Sequence, residues 1–261
     1  MNAVNKAHNK GNAVPANPAW TDLIPESQVQ ALREVAEHLH ASGVEVLLGG
    51  AFALGRHVGR WRGTKDIDFF LRPRDRERAI EALTTTGFSD YFGTQEYDRS
   101  WIFRAFRDDA LVDVIWTIPN HVTDVDEAWF QHAARFSMHG REYTTIPLEE
   151  LIWIKLFVLQ RDRCDWPDVL NLLRCNARLL DWERLVRRID RHAALLLGAL
   201  HVLQWLSPEV LEVVPAWVKQ RFHLGEEPGQ RDPGEEANRA ALLDSRPWYA
   251  VCVPEKNLMA P

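Results

Sequence analysis

Apolar residues recur at helical spacing after Pro25. Val29, Leu32, Val35, Ala36 and Leu39 fall on one face of ESQVQALREVAEHLHASG, and Gly43 ends that helix. The run Val44–Leu48 predicts a first strand, and Gly49-Gly50 turns the chain out of it. Phe52 to His57 predicts a short helix whose N-terminal amides face whatever lies over the glycines. A second strand opens at Asp66-Ile67-Asp68 and continues through Phe69-Phe70-Leu71. Side chains alternate along a strand, so Asp66 and Asp68 share one face while Ile67 points into the core. PRDRERAIEALTTTG reads as a helix between Pro73 and Gly87. Trp101–Phe106 and Leu111–Thr117 form a hairpin pattern around a polar turn, Arg107-Asp108-Asp109. Residues 119–140 read as a loop with a short helix, and Glu142–Ile146 as an edge strand ended by Pro147. LEELIWIKLFVLQRDR, WPDVLNLLR and DWERLVRRIDRHAALLLGALHVLQWL then keep helical periods, so 148–222 is expected to be an all-helical half packed on the preceding part. Residues 1–18 lack periodicity and are expected to be a flexible arm. Residues 223–261 are expected to be a largely irregular tail, with ALLDSRPWYAVCV as an apolar island docking on the body.

Two carboxylates side by side at the head of a hydrophobic strand repel each other, by on the order of 4 kcal/mol at a few Å and a near-surface dielectric. A divalent cation reverses that sign, and hard oxygen ligands suit Mg²⁺. Taken singly, Asp-x-Asp is usually a solvated strand end and a double glycine is usually a turn. Asp113 sits between Val112 and Val114 in an apolar run. Such a carboxylate either faces solvent or is held there for chemistry.

Composition narrows the field. The 261 residues allow one large domain or two small ones, and 46% hydrophobic with 26% charged residues is ordinary for a soluble globular protein. A net charge of −6 argues against strong sequence-independent binding to duplex DNA but leaves room for a local basic pocket. No apolar run reaches membrane-span length, and the N-terminal stretch has no apolar signal core. Three cysteines, Cys164, Cys175 and Cys252, without paired metal spacing suit a reducing cytoplasm. Most of the eleven tryptophans sit in apolar patterns and read as core. Phosphate-loop, dinucleotide, HExxH and GxSxG signatures are absent from the sequence. The arginines at 72, 74, 76 and 78 alternate with acids and read as a solvated helix start rather than a phosphate patch.

Read in order, Gly49-Gly50, six residues, His57, four residues, then Arg62-x-Thr64-x-Asp66-x-Asp68 form a string far more specific than its parts. It resembles the signature of the nucleotidyltransferase superfamily, which shares the DNA polymerase β fold. The closest resemblance is to small bacterial enzymes of the minimal and abortive-infection-toxin type. The resemblance covers about residues 30–175, with its specificity concentrated in 49–68. It implies an α+β fold: a nucleotidyltransferase core over 19–147, with a small mixed sheet flanked by helices, followed by the helical part over 148–222. It also implies two Mg²⁺ or Mn²⁺ ions, a nucleoside triphosphate as substrate, and transfer of a nucleoside monophosphate to an acceptor hydroxyl or other nucleophile with release of pyrophosphate.

By the same resemblance, Asp66 and Asp68 bridge the metals and Asp113 supplies the third acid. Gly49 and Gly50 admit phosphates to their backbone amides. Arg62 binds a phosphate, and Thr64 orders the turn. His57 matches a histidine of the family's smaller members, with a catalytic role and a structural hydrogen bond both open. Lys155 matches a lysine often found there, and either contacts phosphate or snorkels to the surface. Arg163, Asp165 and Asp168 resemble an acceptor-side element, although Asp165 serves equally well as a helix cap. The acceptor stays open among a small molecule, RNA and protein, and a toxin-like role would imply an antitoxin partner. Arg184, Arg187, Arg188 and Arg191 make either a local acceptor platform or a solvated helix face. A second class of function is a catalytically inactive protein of the same fold that binds a nucleotide or a partner.

Overall fold

A computed structural model describes residues 19–225, 238–240 and 242–243. The expected arm over 1–18 and most of the expected tail lie outside these residues. The strands are β1 (Leu47–Leu48), β2 (Asp66–Phe70), β3 (Ser89–Asp90), β4 (Ile102–Arg107), β5 (Ala110–Ile115), β6 (Ala134–Met138) and β7 (Arg141–Thr145). They form one mixed seven-stranded sheet in the order β3-β4-β5-β2-β1-β7-β6. The helices are α1 (Glu26–Ala41), α2 (Gly50–Val58), α3 (Arg76–Thr85), α4 (Glu127–Gln131), α5 (Leu148–Leu156), α6 (Trp166–Asn176), α7 (Trp182–Ile189), α8 (Ala193–Leu206) and α9 (Ala216–Arg221). The expected α+β class, with a mixed sheet flanked by helices and a helical C-terminal region, is what the chain adopts.

Strand parity divides the core. Ile67, Phe69, Val112 and Val114 are buried in one cluster with Val29, Leu32, Val35 and Leu39 of α1 and Ala79 and Leu83 of α3. Phe70, Ile102 and Ile115 are buried in a second cluster, with α2, α5 and the helices that follow. That second cluster runs unbroken from Leu47 and Phe70 to Val169, Leu185 and Leu200, so the hydrophobic core crosses position 148.

The structure departs from the sequence reading in five places. The first strand keeps only Leu47–Leu48 of its expected span. β7 is not an edge: it lies between β1 and β6, with Thr145 opposite Leu48. The edge is β6, inside a segment read as loop and short helix, because only Phe136 and Met138 of that strand are buried. α5 stops at Leu156 rather than running to Arg163. Beyond Leu159 the residues are polar and have no apolar face to bury, and the chain folds back, with Gln160 N–H donating to the Arg163 carbonyl at 2.8 Å.

The fifth departure concerns charge. Arg184 and Arg188 of α7 turn inward rather than forming a solvated face or platform. Arg184 Nη2 donates to Glu150 Oε1 at 2.5 Å, and Arg188 reaches Glu150 at 3.0 Å and both oxygens of Asp126 at 2.7 and 2.9 Å. Arg72 likewise is buried. Its fork meets Glu127 at 2.5 and 2.9 Å, it donates to Glu45 at 2.9 Å, and it lies over the Phe130 ring. In the tail, Ala240 is buried in the larger cluster while Leu242 and Leu243 are exposed.

Candidate active site

Parallel pairing of β2 with β5 sets Asp68 opposite Asp113, and antiparallel pairing of β5 with β4 sets Asp113 opposite Arg104. The three side chains form a charged row across three strands. One step along lies an apolar row, Phe70, Ile115 and Ile102. Asp66, two residues before Asp68, faces the same way, and oxygens of Asp66, Asp68 and Asp113 lie within 4.8 Å of one another. Arg104 donates through Nε to Asp113 Oδ1 at 2.7 Å and through Nη2 to Asp113 Oδ2 at 2.5 Å, and its Nη2 is 3.7 Å from Asp66 Oδ2. Arg104 thus pairs with two of the three carboxylates, and Asp68 has no ion pair among the described residues. Burial, with the neighbouring charges of Asp66 and Asp113, pushes the Asp68 carboxyl up to about 7. Burial also raises Asp113, against the lowering pull of Arg104. A cluster of hard oxygen donors with surplus negative charge fits a divalent cation.

The glycines matter here through contact and dihedral. A Cβ on Gly49 would fall 2.2 Å from the Phe70 ring, and one on Gly50 would fall 1.8 Å from Asp68 Oδ2. Gly50 also has φ +47°, a region L side chains seldom adopt. Gly49 N–H donates to the Asp68 carbonyl at 2.9 Å, which ties the start of α2 to the acid strand. The segment after α2 is anchored by Trp61, which packs against Trp20 and Phe52 at centroid distances of 6.4 and 5.1 Å. It carries Arg62 and Thr64 to the site. Thr64 Oγ1 donates to Asp66 Oδ1 at 2.6 Å, and the Thr64 carbonyl accepts from Gln28 at 2.6 Å.

Across the site, Lys155 is buried and donates to Asp165 at 2.8 Å and Asp168 at 2.7 Å. It therefore does not snorkel. Burial tends to raise the Asp165 carboxyl, but Lys155 and Arg163 outweigh it and hold the group below the usual range. Arg62 Nη1 lies 3.6 Å from Asp168 Oδ2, while Arg62 Nε and Asp168 Oδ1 are buried with no hydrogen-bond partner among the described residues.

A cavity of about 730 Å³ lies over this row. Of the residues singled out from sequence, Gly50, Arg62, Thr64, Asp66, Asp68, Asp113, Lys155, Arg163 and Asp165 line it. Gly49, His57 and Asp168 do not. His57 is packed with its Nε2 3.5 Å from the Ile146 carbonyl, and burial drops it to about 4, so it is uncharged at neutral pH. Asp168 stands behind Lys155. Sequence reasoning missed Arg104, and it also missed the apolar wall that Trp101, Ile118 and Phe157 add to the cavity. A signal for Arg104 was present. A two-residue turn at Asp108-Asp109 pairs 107 with 110, and counting back pairs 104 with 113.

Residues 25–207 match the model of a family described as "Uncharacterised nucleotidyltransferase". No curated protein matches the chain. Among solved structures, the chain is similar to ANT(2'')-Ia in complex with adenylyl-2''-tobramycin, at 16% identity, covering 65% of this chain and 97% of that one, with a TM-score of 0.46. It is also similar to the lincomycin-bound lincosamide antibiotic adenylyltransferase LnuA, at 15% identity, 57% and 96% coverage, and a TM-score of 0.40. An antigenic nucleotidyltransferase-like protein from Paracoccidioides brasiliensis matches at 15% identity, 73% and 95% coverage, and a TM-score of 0.46.

Proposed function

The chain belongs to this nucleotidyltransferase family, and on that premise we propose that it transfers a nucleoside monophosphate from a triphosphate to a small-molecule hydroxyl, dependent on divalent metal. The observation that carries this reading is the cluster of Asp66, Asp68 and Asp113, with oxygens within 4.8 Å at the base of a 730 Å³ cavity. Asp66 and Asp68 would hold the cations and Asp113 would complete the site. Bound there, divalent ions supply neutralisation of phosphate charge and a lowered acceptor pKa.

The chain's own groups do the rest. Gly50, at the start of α2, lines the cavity with no side chain of its own, and its backbone would receive phosphate oxygens beside Asp68. Arg62 lines the same space, and its guanidinium would add a second phosphate contact. Lys155 holds Asp165 and Asp168 in place on the opposite wall, where Asp165 and Arg163 border the acceptor. Trp101, Ile118 and Phe157 shield the reacting atoms from bulk water and offer a surface for a planar or apolar group.

Two features favour a small acceptor over RNA. The cavity is walled by the segment after α5, and two of the four arginines read as a basic platform, Arg184 and Arg188, are committed to Glu150 and Asp126, while Arg187 and Arg191 stay exposed. Among the described residues, no helix is long and apolar enough to cross a membrane.

The test is pyrophosphate release from each ribonucleoside triphosphate with Mg²⁺ or Mn²⁺, in nucleotide-depleted cell extract split into low- and high-mass fractions. Labelled nucleotide should appear on a low-mass acceptor, and both Asp66→Asn and Asp113→Asn should abolish it. Full turnover in both variants would refute the site. Label on RNA or protein would refute the acceptor class.

A further inference from the structure

Arg104 is placed with more care than a solvent-facing strand residue needs. Its backbone N–H donates to Tyr97 Oη at 3.0 Å, and that hydroxyl donates to Asp90 Oδ1 at 2.9 Å. The strand register then sets its side chain directly beside Asp113, itself almost wholly buried. The guanidinium fork closes over both oxygens of that carboxylate at 2.7 and 2.5 Å and leans toward Asp66 at 3.7 Å.

A carboxylate offers two oxygens. A cation shared by Asp66, Asp68 and Asp113 needs at least one from Asp113, and each already accepts a charge-assisted bond, so the ion must take a remaining lone pair on an oxygen whose charge the fork has partly neutralised. The fork brings a positive charge to the place where a cation's charge would act. Both effects oppose entry of a metal ion. Both also stabilise the metal-free protein, whose triad otherwise gathers three acids in one row, with Asp113 buried.

We propose that Arg104 is a positioning residue that substitutes for the cation's charge in the metal-free protein, competes with the metal for Asp113, and yields part of its hold when metal binds. This inference rests on the triad being the cation site. The competition makes metal affinity lower than the three carboxylates alone would give, and it keeps Asp113 oriented until the ion arrives.

The test is Mn²⁺ binding followed by electron paramagnetic resonance at pH 8 without nucleotide, in wild type, Arg104→Met, Arg104→Lys, Asp113→Asn and Arg104→Met/Asp113→Asn. Arg104→Met keeps the length of the side chain without charge or donors, and should bind Mn²⁺ at least about tenfold more tightly than wild type. Arg104→Lys keeps the charge but not the fork, and should fall between them. In the double variant the gain should vanish, leaving the affinity of Asp113→Asn.

Unfolding in EDTA gives an independent reading. Arg104→Met should melt below wild type, and Mn²⁺ should raise its midpoint by more than it raises wild type's. Affinity in Arg104→Met equal to or below wild type's overturns the proposal, because a merely structural arginine would lower the midpoint without tightening the ion. If Arg104→Met does not fold, Arg104→Lys carries the test by the same criterion. If Asp113→Asn leaves Mn²⁺ affinity unchanged in both backgrounds, the triad reading itself fails.

Discussion

Removing the charge of Asp68 should make the metal-free protein more stable, and only at the right pH. Burial and the neighbouring acids raise this carboxyl from 3.8 to about 7. The folded chain therefore binds the proton more tightly than the unfolded chain, so ionisation works against folding. The penalty is absent below the unfolded value, grows as pH rises from about 4 to 7, and is complete above that. At pH 8 the linkage relation gives about 4 kcal/mol, and at pH 5 about 1.5 kcal/mol. In Asp68→Asn the amide carries no charge at either pH. In EDTA the variant should exceed wild type by roughly 2–4 kcal/mol at pH 8, a rise of about 5–15 °C for a chain of this size. At pH 5 the gap should shrink to about 1 kcal/mol. The assay is thermal and urea unfolding at both pH values, with and without Mn²⁺. Mn²⁺ at pH 8 should raise wild type toward or above the variant and leave the variant nearly unmoved. A variant no more stable than wild type at pH 8, or a gap that does not depend on pH, would refute the electrostatic account.

Gly50→Ala should cost about 1–2 kcal/mol from its left-handed backbone alone and also displace Asp68, whose oxygen sits where the new methyl would go. Mn²⁺ affinity should fall with stability, whereas Gly63→Ala, with nothing within 4 Å of its added carbon, should change neither by a measurable amount. Arg184→Ala should lower urea stability by about 3–5 kcal/mol, because it removes a principal partner of the fully buried Glu150. Adding Glu150→Gln should recover part of that loss. A loss under about 1 kcal/mol in Arg184→Ala would mean that the network contributes little.

What the sequence made legible was local. The alternation Asp66-Ile67-Asp68 fixes which side chains face the core without knowledge of any partner strand, and the α1 stripe does the same for a helix. β6 carried too few apolar positions to register as a strand. β7 occupies the sheet interior because Thr145 meets Leu48, almost a hundred residues earlier in the chain. Neither pairing has a local signature. Charge was misread for the same reason. Arg72, Arg184 and Arg188 look solvated until Glu127, Glu150 and Asp126 are brought beside them by segments 34 to 62 residues away. A buried charge becomes intelligible only with its partner.

The same comparison separates scaffold from site. At the seam between α5 and α7, Glu149, Glu150 and Asp126 each meet a guanidinium within 3.5 Å. At the triad, a single guanidinium among the described residues is spent on Asp113 and reaches Asp66 only at 3.7 Å, and none of them pairs with Asp68. Acids buried for structural reasons come with their counter-charges built in. Among the described residues the row across β2 and β5 lacks its full complement, a deficit that the proposed cation would fill. On the proposed function, the missing charge is what separates these acids from the paired ones of the seam and makes them the place where a cation and a polyphosphate would bind.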